Sequence, residues 1–151
     1  GVKSLSGTAS TLGTGPGGGT GSVTSLHAQA NSMYVSAENA GASPLIASRP
    51  AIGTWEQFDF IDLGGGNLAL KARANNKYVC AENAGASSLI ANRDAIGPWE
   101  TFRLIRNPDG TISLQATVNS KYVTAENAGA NPLIANRDAI GPWEKFTQVS
   151  S

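Results

Sequence analysis

From residue 21 onward, apolar and polar side chains alternate in runs too short for helices. SLHAQA (25–30) and LALKARA (68–74) read as half-buried strands, and so do the YVCAEN, SLIANR and WETFRL segments that follow. Gly, Asn and Pro punctuate these runs every few residues. The stretch AGANPLIANRDAIG carries helix-friendly Ala, but Gly85, Gly97, Pro98 and their counterparts cut it too short for a helix of ordinary length. The pattern predicts an all-β chain of short strands.

The same grammar recurs with a fixed period. Tyr34, Tyr78 and Tyr122 are 44 residues apart, as are Trp55, Trp99 and Trp143. The copies read YVSAENAGASPLIASRPAIGTWE (34–56), YVCAENAGASSLIANRDAIGPWE (78–100) and YVTAENAGANPLIANRDAIGPWE (122–144), and the last two agree at 20 of 23 positions. Four strands per copy give twelve. Closing three copies around a pseudo-three-fold axis removes the sheet edges that an open array must protect, so the expected architecture is a β-trefoil over residues 21–151. A solenoid or a three-bladed propeller of the same period is the structural alternative. Residues 1–20, rich in Gly, Ser and Thr, lack the apolar side chains to offset their ordering entropy and read as a linker or disordered tail. There is no initiator Met and no signal-like segment, so the chain reads as a mature fragment or an excised module.

Outside these segments the copies have drifted. GNLALKARANNK (66–77) and GTISLQATVNSK (110–121) share only Gly, Leu, Ala, Asn and Lys, 5 of 12 positions. The invariant segment therefore carries either a tight structural requirement or a task performed three times.

Side-chain phase sorts the candidates. Phe102 and Leu104 share the core phase, which puts Trp99 outward with Thr101 and Arg103; in the first copy Phe58 and Phe60 face inward while Trp55, Gln57 and Asp59 face outward. WEKFTQV loses this regularity after Phe146, which suggests a bulge. Val79 and Ala81 point inward, leaving Tyr78, position 80 and Glu82 outward. Position 80 varies as Ser36, Cys80 and Thr124, the mark of an exposed face, yet Glu38, Glu82 and Glu126 repeat two residues on. That Glu is either a ligand acceptor or the surface ion-pair partner of Arg49, Arg93 or Arg137. Glu56, Glu100 and Glu144 have the inward phase and are expected to accept backbone N–H groups.

Composition narrows the chemistry. Lys plus Arg is 11 and Asp plus Glu is 11, a formal net charge of 0, so nucleic acid and anionic membranes are not expected partners. One Cys and one His give neither a disulfide framework nor a structural zinc set, so no metal or cofactor is expected. No apolar run approaches the roughly 20 residues of a membrane span. Cys80 occurs in one copy and His27 lies in a drifting segment, so neither reads as catalytic. Each copy holds two Glu, the number glycoside hydrolysis needs, but they appear on opposite faces of a convex module. What remains is a binding inventory: an indole face for the apolar side of a pyranose, Glu38, Glu82 and Glu126 as acceptors, and Asn39, Asn83, Asn127, Arg49, Arg93 and Arg137 as donors for its hydroxyls.

The motif YVxAENAGAxxLIANRxAIGxWExF, present three times across residues 22–149, resembles the fascin-like β-trefoil repeats carried as accessory modules by secreted bacterial glucanases. It is similar to carbohydrate-binding module family 92. That resemblance implies one Trp- and Glu-containing site per repeat, built on Trp55, Trp99 and Trp143 with Glu38, Glu82 and Glu126. It also implies β-1,3- and β-1,6-linked glucan as ligand, a catalytic domain joined through the N-terminal linker, and a secreted location. A non-catalytic module with three equivalent shallow sites, monomeric, is expected. Ricin-type trefoils share the architecture, but their Gln-x-Trp signature and disulfides are absent here. Fascin itself resembles the chain in repeat grammar, which leaves a cross-linker of protein filaments as the alternative function; fascin carries four tandem trefoils where this chain has one.

Overall fold

The computed structural model describes residues 23–150, and the segment 1–20 read as a linker lies outside them. The twelve expected strands are present: β1 (Val23–Ala28), β2 (Tyr34–Ala37), β3 (Leu45–Arg49), β4 (Phe58–Gly64), β5 (Asn67–Ala72), β6 (Tyr78–Ala81), β7 (Leu89–Arg93), β8 (Phe102–Arg106), β9 (Ile112–Ala116), β10 (Lys121–Ala125), β11 (Leu133–Arg137) and β12 (Phe146–Ser150). All pair antiparallel. β1–β4–β5–β8–β9–β12 close on themselves as a six-stranded barrel through the β1–β12 pairing. Three hairpins, β2–β3, β6–β7 and β10–β11, cap one end. This is a β-trefoil.

The core repeats with the sequence. Phe58, Phe102 and Phe146, then Leu26, Leu70 and Leu114, then Leu45, Leu89 and Leu133, are buried as three-fold sets. Ala37, Ala81, Ala125, Ala47, Ala91 and Ala135 line the cap where hairpins approach one another. Each buried Leu or Phe contributes roughly 2 kcal/mol of transfer free energy.

The copies are also latched to one another. Asn75 in the β5–β6 turn donates its Nδ2 to the carbonyl of Ala91 at 2.8 Å and accepts the Lys77 N–H at 3.1 Å. Its amide abuts Gly41 of the preceding copy, whose φ is +92° and where a β-carbon would fall 2.1 Å from Asn75 Nδ2. Asn119 meets Gly85 and Asn31 meets Gly129 in the same way, so the contacts run copy one to two, two to three and three to one. Asn39, Asn83 and Asn127 begin these glycine turns in the left-handed region at φ 56°, 55° and 55°, a conformation Asn tolerates better than most residues.

Three expectations need correction. The chain does not enter its strand at Trp: Thr54–Glu56, Pro98–Glu100 and Pro142–Glu144 are single 3-10 turns, and the strands begin at Phe58, Phe102 and Phe146. The indoles are therefore half-buried on a turn rather than on the outer face of a strand. Position 80 is not exposed. Ser36, Cys80 and Thr124 are all fully buried, because the face of the hairpin turned away from the core is roofed by that same turn. What read as free variation is restriction to small side chains. The bulge expected after Phe146 is absent too: β12 pairs with β1 in unbroken register from Ala28↔Phe146 to Thr24↔Ser150. The irregularity is a substitution, Gln148 standing where the first copies have Phe60 and Leu104.

Candidate functional site

Bulges do occur, one in each cap hairpin, and they build the site. Val79 pairs with Ala91 but Tyr78 pairs with Arg93, which leaves Asn92 as an extra residue; Ser48 and Asn136 occupy the same place in the other copies. An extra residue breaks the alternation of faces. Two successive side chains, at 92 and 93, can then reach the same carboxylate at the end of β6.

That carboxylate is Glu38, Glu82 or Glu126. Arg49 holds Glu38 with Nε on Oε2 at 2.7 Å and Nη2 on Oε1 at 2.6 Å, and Ser48 Oγ donates to Oε2 at 2.7 Å. The Arg49 hydrogen bonds, against the opposing effect of partial burial and with help from Ser48, hold the Glu38 carboxyl at about 2, well below its ordinary 4.5. Arg93 Nη2 lies 3.1 and 3.0 Å from the two oxygens of Glu82, and Asn92 Nδ2 donates to Oε2 at 2.7 Å. The Asn92 amide first, and Arg93 after it, lower the Glu82 pKa despite partial burial. Arg137 Nη2 donates to Glu126 Oε1 at 2.5 Å. The ion pair weighed as one reading of this Glu is therefore present in every copy.

The same Arg touches the indole. The guanidinium carbon of Arg49, Arg93 and Arg137 lies 5.5 Å from the ring centroid of Trp55, Trp99 and Trp143 respectively. This is cation–π distance. Each copy thus assembles a half-buried Trp, a clamped Arg and a partly exposed Glu from its own residues, giving three clusters around the capped end of the barrel.

The second repeated Glu is scaffold, as expected. Glu56, Glu100 and Glu144 are 5–6% exposed, and the Oε1 of each accepts the N–H of Gly53, Gly97 or Gly141 at 2.7 Å, tying off its 3-10 turn. Cys80 lies beneath the turn beside Glu100, and burial first, then the Glu100 carboxylate, pushes its thiol up to about 12. It is inert at neutral pH.

The structure gathers Trp, Arg and Glu but not the remaining candidates. Asn39, Asn83 and Asn127 are exposed at the glycine turns, and no hydrogen bond joins them to the carboxylates. Two partners escaped sequence reading: the bulge residue at 48, 92 and 136, and the Tyr paired with the site Arg. Each Tyr has a different neighbour. Tyr34 packs against His27 at 4.7 Å between centroids, and Tyr78 lies under Lys71 Nζ at 5.5 Å. In the third copy Gln115 is paired with Tyr122. A cleft of about 320 Å³, lined by Asp62, Asn67, Leu104, Arg106 and the Gly64–Gly66 turn, lies at the uncapped end and contains none of these residues.

No family model matches the sequence, and no curated protein matches it. Solved structures do. The chain is similar to ThreeFoil, a designed three-fold symmetric protein, at 26% identity and a TM-score of 0.78, covering 85% of this chain and 99% of that one. It is similar in fold to a Polyporus squamosus lectin solved with the epitope Neu5Acα2-6Galβ1-4GlcNAc (10% identity, TM-score 0.76, 85% of this chain and 49% of that). It is likewise similar in fold to an exo-β-1,3-galactanase from Clostridium thermocellum (13% identity, TM-score 0.73, 86% of this chain and 30% of that). The chain thus spans about half the lectin and under a third of the galactanase.

Proposed function

We propose that this trefoil is a non-catalytic carbohydrate-binding module with one saccharide site in each repeat. The observation that carries the reading is the Trp–Arg–Glu cluster, repeated in every copy around the cap. The indole offers a flat face for the apolar side of a pyranose, and the clamped Arg and Glu place a donor and an acceptor at its rim. Their mutual pairing fixes both before ligand arrives, which limits the ordering cost of binding. Glucan with β-1,3 and β-1,6 links is the ligand class that the repeat motif's resemblance implies, and a neutral polymer suits a chain with no net charge.

Hydrolysis fits poorly. Glu82 is bonded to Arg93 and Asn92 while Glu100 is buried and committed to Gly97, so neither is placed at a scissile bond. Attachment through residues 1–20 to a secreted glycoside hydrolase completes the proposal. The likeness to part of a galactanase three times longer supports a trefoil of this shape as an accessory module.

Filament cross-linking would work through charged patches. Here Arg49, Arg73, Lys77, Arg93, Lys121, Arg137 and Lys145 are all taken up in ion pairs. Mixing the protein with insoluble β-1,3-glucan and, separately, with actin filaments tests the choice: depletion by glucan alone is expected, and co-sedimentation with actin alone would overturn it.

A further inference from the structure

The three clusters share a plan but differ in what is left for a ligand. A carboxylate has about four lone-pair positions. Glu38 already accepts three hydrogen bonds, from Ser48 Oγ, Arg49 Nε and Arg49 Nη2. At Glu82 the Asn92 amide donates to Oε2 while its Oδ1 accepts Arg93 Nε at 3.3 Å, so the side chain closes a ring across the Arg–Glu pair. In the third copy Asn136 Oδ1 accepts Arg137 Nε at 3.2 Å in the same way, but its Nδ2 makes no bond to Glu126, whose carboxylate accepts, among the described residues, only from Arg137 Nη2. Copies two and three share AENAGA and LIANRDAIGPWE around this cluster but differ at Cys80 and Thr124 and at Ser87–Ser88 and Asn131–Pro132. The bulge Asn therefore stands in two positions. In one the Asn amide covers the carboxylate; in the other a free amide donor and a free carboxylate acceptor stand side by side.

We infer that the bulge residue, Ser48, Asn92 or Asn136, is the specificity-setting element of each site, occupying the carboxylate position that a ligand hydroxyl takes on binding. This rests on the saccharide reading above and deepens it. A hydroxyl both donates and accepts, so the Glu126 and Asn136 pair suits one hydroxyl, the proton going to Glu126 Oε2 and the oxygen receiving Asn136 Nδ2. At the second site the ligand must first displace Asn92 from Glu82. At the first, Oε2 is taken by Ser48 and Arg49 Nε, so reaching it means displacing Ser48, which can return no amide donor. The sites are thus unequal, in the order three, two, one. The bulge explains why this position is the one that decides: it is the extra residue that the hairpin aims at the carboxylate instead of at the opposite face.

Three one-site proteins test this: Trp55→Ala with Trp99→Ala, Trp55→Ala with Trp143→Ala, and Trp99→Ala with Trp143→Ala, each titrated with β-1,3-linked glucotriose by calorimetry. The expected order of affinity is site three, then two, then one, with each step about three-fold or more, the span of one neutral hydrogen bond. Adding Asn92→Ala to the second-site protein removes the competing amide and should tighten binding by about two-fold or more, while Asn136→Ala at the third site should weaken it, because it loses the donor to ligand; both variants also lose the Oδ1 that accepts the neighbouring Arg Nε. Equal affinities at all three sites, or weakening by Asn92→Ala as large as by Asn136→Ala, overturns the inference and leaves the saccharide reading standing. Absence of glucotriose binding by the parent protein as well overturns both. Circular dichroism of each variant establishes that it is folded before titration, and Asn92→Ser, which mimics the first copy, should bring the second site down towards the first.

Discussion

Asn75 of the second repeat stands where a β-carbon on Gly41 of the first would have to go, 2.1 Å from the position it would take. The contact recurs as Asn119 on Gly85 and Asn31 on Gly129, closing a ring of three. Part of the invariance of AENAGA is therefore structural. Gly41→Ala should destabilise the protein by about 2 kcal/mol or more, since it adds left-handed strain to a collision. Urea unfolding measures it, and binding per folded molecule should be unchanged. A loss under 0.5 kcal/mol, on the order of an ordinary surface change, would contradict the latch.

The indole has a different role. Trp99→Ala should cost about 2 kcal/mol in saccharide binding at its site. It should also lower stability modestly, because the half-buried ring belongs to the turn that roofs Cys80. Arg93 loses its ring partner in the same variant but keeps Glu82, so thermal unfolding should shift by only a few degrees. Collapse of the fold with binding intact in the surviving folded fraction would make the indole a core residue.

The two repeated carboxylates should separate cleanly. Glu100→Ala leaves the Gly97 N–H without its acceptor and should cost about 1 to 3 kcal/mol of stability, read by denaturant unfolding, with binding per folded molecule kept. Glu82→Gln keeps the shape but removes the charge that holds Arg93, and should weaken binding several-fold at that site with a small stability change. The reverse pair of results would mean that scaffold and ligand Glu have been exchanged.

Glu38 gives the acid limb a specific signature. Its folded-state pKa lies at about 2 and its ordinary value is 4.5, so its contribution is fully present above pH 4.5 and is lost as pH falls through the folded value. Stability measured from pH 5 to 2 should therefore fall less steeply in Glu38→Gln than in the parent. Parallel curves would show that the Arg49 clamp does not stabilise the fold.

Much of this was legible in the chain because three copies repeat one pattern. The five positions that survive drift between 66–77 and 110–121 all have a physical reason. Gly66 and Gly110 turn hairpins at φ 88° and 92°; Leu70, Leu114, Ala72 and Ala116 are core; Asn75 and Asn119 are latches; Lys77 and Lys121 pair with Asp94 and Asp138. The phase argument also put Glu100 inside and kept Trp99 out of the core. It failed where alternation itself fails. The 3-10 turn before each Phe and the bulge at Ser48, Asn92 and Asn136 each shift the face a residue presents, and period-two reasoning has no term for either. The burial of Cys80 was illegible for another reason: phase says which face a side chain takes, but not whether a turn 20 residues on covers that face.

Calorimetric titration of the parent and of the Trp→Ala series with β-1,3-linked glucotriose reads the central claim directly, because three clusters around one barrel point in different directions and a short oligosaccharide engages one at a time. Saturation should come at about three ligands per chain and fall by one with each Trp replaced, until the triple variant binds none, while retention on insoluble glucan falls more steeply as avidity is lost. Saturation at one ligand per chain, or a folded triple variant that still binds, would show that the repeats preserve a fold and not three sites.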